Sequence, residues 1–175
     1  PQVYALFQTA HRPVSHALSA RETTQLLQAT LAWKLAYPHS GLPPLLHSLS
    51  QGRLDKESPY SYSLAHKLVL DELKSQLGGE HPVYGETVVH GLSVDVFIPS
   101  LNAVVEVDGV YHYFANQPQE WTGASWFKHR LLTGTGTKVY HVDARRIHQL
   151  SHGELKESLN LVVEKIQVNA AVDHK

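Results

Sequence analysis

The first third of the chain carries its apolar residues at helical spacing. Ser19 and Glu22 form a capping box at the start of this pattern, and Pro38 ends it. A shorter helix is predicted to follow Pro43-Pro44. Two helices joined by a short loop, with Ala and Trp inside, resemble one unit of a helical repeat. Residues 1–57 are therefore predicted to be a helical extension, either one that packs on the next domain or the last repeat of a helical array in a longer parent chain.

Beyond the polar segment 51–58, the apolar spacing changes from helical to alternating. A helix that starts at Ser61 or Ser63 is predicted to end at Gly78-Gly79, and alternating segments rich in valine follow it. The elements predicted after this helix are strands at 84–89, 94–98 and 103–110, a helix at 125–132, a strand at 138–142 and a helix at 154–168. Residues 58–175 are therefore predicted to form an α/β (α+β) domain, a mixed β-sheet flanked by helices.

Two of the predicted strands bring carboxylates together. A Pro-Ser-Leu-Asn turn joins them as a hairpin, and the tightest register places Ile98 opposite Ala103. Asp95 then lies opposite Glu106, and alternation places Glu106 and Asp108 on one face of their strand. The spacing therefore predicts three carboxylates in one patch, and a slip of one residue would break the pairing.

Carboxylates that face each other on a sheet repel, so this patch needs a cation, a shared proton or a neighbouring base. We expect Mg²⁺ or Mn²⁺, with Asp95, Glu106 and Asp108 as the metal ligands. Such a site would act on a phosphodiester, with His112 as general acid or base and Lys128 stabilising charge at phosphorus. The alternative is that the acids form the solvated face of an edge strand, with a structural histidine and a solvated lysine nearby.

Charge is distributed unevenly along the chain. The net charge of -1 argues against a uniformly basic nucleic-acid-binding protein. Residues 80–124 contain six acids and neither Lys nor Arg, whereas residues 125–150 contain five basic residues and one acid. An acidic cluster followed by a basic strip is the distribution that a phosphodiester-handling site needs, so the near-neutral total does not exclude RNA.

Other features of the composition exclude whole classes of protein. The chain has no cysteine, which excludes a disulfide framework and a thiol nucleophile. No apolar stretch reaches the roughly 18 residues of a membrane-spanning helix, so we expect no membrane partner. The chain begins with Pro1, and we expect it to be a processed or excised piece of a longer protein.

The string Glu-Val-Asp-Gly-Val-Tyr-His-Tyr-Phe at 106–114 resembles the signature of the RAP domain, a module of RNA-associated proteins. The resemblance continues upstream through 92–96 and downstream through 127–132, and covers roughly residues 58–150. RAP domains look like members of the PD-(D/E)XK nuclease superfamily, close to the very-short-patch-repair endonucleases. The resemblance therefore implies a PD-(D/E)XK endonuclease-like fold for residues 58–175.

The same resemblance implies roles for individual residues. Asp95 and Glu106 match the two acidic metal ligands of the superfamily, whereas Asp108 stands where the usual motif has a lysine. Lys128 is expected to supply that positive charge from the following helix. His66 stands where many such nucleases have a glutamate. The family acts in RNA binding, processing and stability in mitochondria or plastids, and bacterial members exist.

The residues expected to bind RNA, single-stranded or structured, are basic or aromatic: Tyr111, Tyr113, Trp121, Arg130, Lys138, Arg145 and Arg146. Trp121, in a polar loop, is predicted to be an exposed platform on which a base stacks. Trp126 and Phe127, on a helix, are predicted to pack in the core. Three functions stay open: a metal-dependent endoribonuclease in RNA processing, a catalytically inactive RNA-binding module, and a protein-interaction appendage.

Overall fold

The computed structural model describes residues 20–43 and 63–173. The chain divides into two compact units, Pro1–Pro59 with His90–Leu92, and Tyr60–Val89 with Ser93–Lys175. The helix predicted after Pro43-Pro44 and the boundary predicted after residue 57 lie outside the described residues.

The first unit contains helix α1, Ala20–Ala36, which confirms the helix predicted to end before Pro38. Its last turn is held against the chain that follows it. The Trp33 ring lies 4.5 Å from the Tyr37 ring, and the Trp33 indole N–H donates to the Gly41 carbonyl at 3.2 Å.

The second unit contains a mixed set of helices and strands. Its described elements are α2 (Leu64–Leu77), β1 (Tyr84–Val89), β2 (Leu92–Ile98), β3 (Ala103–Asp108), β4 (Tyr113–Phe114), β5 (Gln117–Trp121), α3 (Gly123–Gly134), β6 (Lys138–Asp143) and α4 (His152–Asp173). Short 3₁₀ turns lie at Pro99–Leu101, Val110–His112 and Ala144–Gln149. Every helix and strand predicted in this unit is present. Two further strands were not predicted, β4 and β5, which pair with each other; the Pro and Gly content around β5 predicts a loop there.

Four strands form the main sheet, in the order β1-β2-β3-β6. Strands β2 and β3 are antiparallel, with Ile98 opposite Ala103 and Val96 opposite Val105, so the predicted hairpin register is confirmed. Strand β6 pairs with β3 in parallel and places His141 beside Glu106. The sheet is therefore mixed, as the order of predicted elements indicates.

Helices cover both faces of this sheet. On one face, α2 and α4 pack against Val105 and Val107 in a single apolar core. Because side chains alternate along a strand, Glu106 and Asp108 point to the other face, where α3 lies and where Lys128 contacts Glu106. All six residues of β3 are buried, which overturns the alternative of a solvated edge strand. No helix among the described residues is long and apolar enough to cross a membrane.

Candidate functional site

The carboxylate of Asp95 joins β2 to β3 where their backbone pairing stops. Its Oδ2 accepts a hydrogen bond from the Val107 N–H at 2.7 Å, just beyond the pair formed by Val96 and Val105. The side chain therefore takes the place of a strand carbonyl. This contact holds Asp95 next to Glu106, as the register predicts.

His66, in the first turn of α2, holds the other oxygen of Asp95. Ser63 caps this helix, since its hydroxyl accepts from the His66 backbone N–H at 3.3 Å. The same hydroxyl lies 2.8 Å from His66 Nδ1, so the second ring nitrogen, Nε2, faces Asp95 Oδ1 at 3.4 Å. The helix cap thereby orients an imidazole toward the acid.

Glu106 forms an ion pair with Lys128 of α3. The Lys128 ammonium donates to Glu106 Oε2, and the carboxylate is almost fully buried while the ammonium side chain is about a quarter exposed. Oxygen Oε1 of Glu106 is buried and has no hydrogen-bond partner among the described residues. A buried carboxylate oxygen of this kind needs a proton, a water molecule or a cation.

Asp108 is the centre of a chain of imidazoles. Its two oxygens lie 3.2 Å from His112 Nδ1 and 2.8 Å from His141 Nδ1. His141 Nε2 in turn lies 3.0 Å from His129 Nδ1. An ionised carboxylate only accepts hydrogen bonds, so both Nδ1 atoms facing Asp108 carry a proton. At the next contact a proton on either His141 Nε2 or His129 Nδ1 makes the hydrogen bond, so the imidazoles extend the chain away from Asp108.

Burial and neighbouring charges shift the pKa values at this centre in different directions. Burial raises the pKa of Glu106, the charge of Asp95 adds to that effect, and Lys128 offsets only part of it. Burial also opposes ionisation of Asp95, but His66, the Val107 N–H and Lys128 together outweigh it and lower the Asp95 pKa. The hydrogen bond to Asp95 raises the pKa of His66. Asp95 therefore carries its negative charge readily, and Glu106 is the acid whose ionisation costs free energy.

The side chains of Glu106, Asp108, His112 and Lys128 line one small cavity, with Ser125, His129, Leu132 and His141 completing its wall. Its volume of about 10 Å³ is space for roughly one water molecule. Burial lowers the pKa of His129, and the charge of His141 lowers it further, so its imidazole is neutral over a wider range of pH. The cavity brings together an ammonium, imidazoles and carboxylates, groups that bind a water molecule and move protons.

The aromatic residues near this cavity are placed differently from the predictions. Trp121 is half-buried, with its ring 4.2 Å from the His141 ring. The prediction that Trp126 and Phe127 pack in the core is wrong, since they are 52% and 42% exposed. The spacing of apolar residues marks them as one helix face, but the core under α3 is made by Leu131 and Leu132.

The basic residues predicted to bind RNA do not form one strip. Arg145 lies over the Tyr113 ring at 4.0 Å and is paired with Asp143 at 2.5 Å. Lys138 lies at the opposite end of β6, where it donates to the Asn169 carbonyl at 2.9 Å. Arg130 and Arg146 are exposed. Tyr111 is 93% exposed, next to His112.

Two residues of the site, His141 and His129, were not predicted, because neither lies on the hairpin that brings the carboxylates together. His141 reaches Asp108 because β6 pairs in parallel with β3. His129 joins the site because it lies on α3 and its ring contacts His141. The sequence does hold one indication of His141: it is a polar residue between apolar ones in the strand Lys-Val-Tyr-His-Val-Asp. His66 is notable only through the family resemblance.

The expected metal ligands are occupied by groups of the chain itself. All but one of the six oxygens of Asp95, Glu106 and Asp108 face His66, Val107 N–H, Lys128 or a histidine of the Asp108 chain. No group of three or more His, Asp or Glu side chains in the described part of the chain is arranged to hold a metal ion. Mg²⁺ and Mn²⁺ need several oxygen ligands, so the residues as placed do not fit such a cation.

No family model matches this chain. No curated protein matches it.

Proposed function

We propose that this chain is an RNA-binding domain of the RAP type, with a PD-(D/E)XK-like fold, that binds an RNA phosphodiester on the surface beside its buried acidic centre. The mixed sheet, the hairpin register and the position of Asp95 next to Glu106 are in line with the family resemblance. Exposed basic and aromatic side chains, among them Arg130 and Tyr111, belong to the segments that carry the centre and suit a nucleic acid.

The observation that carries this proposal is the ion pair of Lys128 with Glu106. An unpaired acidic centre would repel a phosphate. Here Lys128 pairs with Glu106, and His66 when protonated pairs with Asp95, so two of the three carboxylates repel a phosphate less strongly. Pairing of the acids within the chain favours binding over metal-dependent cleavage.

A second candidate function is a metal-dependent endoribonuclease, with Mg²⁺ or Mn²⁺ held by Asp95, Glu106 and Asp108. The observation in its favour is Glu106 Oε1, which is buried without a partner among the described residues. Since the residues as placed do not fit a divalent cation, binding one requires Lys128 to leave Glu106.

A cleavage assay decides between the two candidates. Single-stranded RNA is incubated with the wild type, with Asp95→Ala/Glu106→Ala and with Glu164→Ala, an exposed acid on α4, each in EDTA, Mg²⁺ or Mn²⁺. We expect binding by fluorescence anisotropy and no cleavage in any metal. Cleavage that needs a metal, is lost in the double variant and is kept in Glu164→Ala would establish the nuclease instead. Failure to bind RNA at low salt would overturn both and favour a protein-interaction surface.

A further inference from the structure

The aromatic side chains around the cavity divide into two groups by their contacts. Trp121 packs against the His141 ring, and Tyr113 lies beneath the Arg145 guanidinium, so both have a structural role. Trp126 and Tyr111 instead present more than half of their surface to solvent. Exposed aromatic residues are ordinary when they occur singly, whereas several together mark an interaction surface.

Trp126 and Tyr111 lie on either side of one junction in the fold. The His112 carbonyl accepts from the Thr122 N–H at 2.8 Å, and the Ser125 hydroxyl lies 3.3 Å from His112 Nδ1. Each exposed aromatic residue is the chain neighbour of a residue in this junction. His112 and Ser125 also line the cavity, so each exposed aromatic residue directly adjoins a cavity-lining residue in the chain.

The indole of Trp126 is held in place by the helix that carries it. Its ring is parallel to the His129 ring, at an interplanar angle of 9° and a centroid distance of 5.7 Å. Residues four apart on a helix are neighbours on its surface, so Arg130, which is exposed, projects from the same side of α3 as Trp126. An oriented aromatic face with a guanidinium on the same side of the helix matches a nucleotide, a planar base joined to a phosphate.

We infer that Trp126 and Arg130 bind one unpaired nucleotide of the RNA, with the base stacked on the indole and the phosphate on the guanidinium. Tyr111 stacks a second base across the junction. This inference rests on the proposed function and specifies its substrate as single-stranded RNA. In a duplex the faces of a base are covered by its neighbours, and a protein meets the backbone and the groove.

The test compares RNA affinities by fluorescence anisotropy at low salt. The probes are a labelled single strand of about 12 nucleotides, within the range of single-strand site sizes, and the same sequence annealed to its complement. The proteins are the wild type, Trp126→Ala, Trp126→Phe and Leu161→Ala. Leu161 is a matched control because it is 61% exposed on α4, which covers the opposite face of the sheet.

We expect Trp126→Ala to lose about tenfold in affinity for the single strand, Trp126→Phe to keep most of it, and Leu161→Ala to bind like the wild type. The wild type should prefer the single strand to the duplex. Equal affinity of Trp126→Ala and wild type, with an unchanged melting temperature, overturns this inference and leaves the proposed function standing. Equal affinity for duplex and single strand also overturns it. A wild type that binds neither probe overturns the proposed function as well.

Discussion

Lys128 and Glu106 form an ion pair in which the carboxylate is buried and the ammonium is partly exposed. The pair joins α3 to the central strand β3 and lies on the wall of the cavity. Burial raises the pKa of Glu106 despite Lys128, so keeping this carboxyl group ionised in the folded protein lowers the free energy of unfolding. Costly charges of this kind are retained at functional sites.

That cost predicts how Glu106→Gln depends on pH. With its pKa raised, folded Glu106 binds a proton that the unfolded chain has released, so wild-type stability falls as pH rises from about 4.5 through the folded pKa. Glutamine does not titrate. The free energy of unfolding of Glu106→Gln minus that of the wild type should therefore increase between pH 4.5 and neutral pH, measured by urea denaturation. A difference that stays constant or decreases would contradict this.

Removing Lys128 alone should be more harmful than removing the whole pair. Lys128→Met leaves Glu106 buried without a cation and should cost about 3 kcal/mol of unfolding free energy. In Lys128→Met/Glu106→Gln neither member of this pair carries a charge, and most of that loss should be recovered. A double-mutant cycle by urea denaturation measures this. Additive losses would show that the two side chains do not interact.

The contact of His66 with Asp95 predicts a stability contribution confined to acidic and near-neutral pH. The folded pKa of His66 is raised, so its contribution is complete below about pH 6.5 and is lost as pH rises through the folded pKa. The Asp95 pKa is lowered, so the acid stays ionised across that window. His66→Gln should cost about 1 kcal/mol at about pH 5.5 and less at about pH 8.5. His152→Gln, at an exposed histidine on α4, is the control; the same pH trend in both variants would refute the assignment.

Asp108 and Asp143 occupy paired positions on neighbouring strands but should differ in their effect on stability. Asp108→Asn directs an N–H₂ group at an imidazole N–H, and should cost about 2–3 kcal/mol because Asp108 is buried and accepts from two histidines. Asp143 is half-exposed, and Asp143→Asn should cost less than about 1 kcal/mol. Thermal melts of both variants check this, and equal losses would mean that the imidazole chain does not stabilise the fold.

The sequence predicts the elements and the hairpin register because each has a local cause. Ser63 and Gly78-Gly79 bound α2, and the short turn before Asn102 leaves one register that buries the valines. Which residues contact the three acids is not determined by the local sequence. His141 reaches Asp108 only through the parallel pairing of β6 with β3, which joins residues far apart in the chain. The burial of Glu106 likewise depends on α3 covering that face of the sheet.

The same limit explains the errors in the aromatic residues. Helical spacing places Trp126 on a face of α3, but only the tertiary structure determines that Leu131 and Leu132 are the residues that meet the sheet. Trp121 is predicted to be exposed because its segment resembles a loop, and it becomes half-buried once β5 pairs with β4.

The central claim is that this domain binds RNA beside an acidic centre whose carboxylates pair with its own side chains, without a metal ion. The most direct measurement is the dissociation constant of single-stranded RNA in EDTA against that in Mn²⁺, at equal ionic strength. The account predicts equal affinities and intact RNA in both solutions. Binding that appears only in Mn²⁺ and is lost in Glu106→Gln would contradict it.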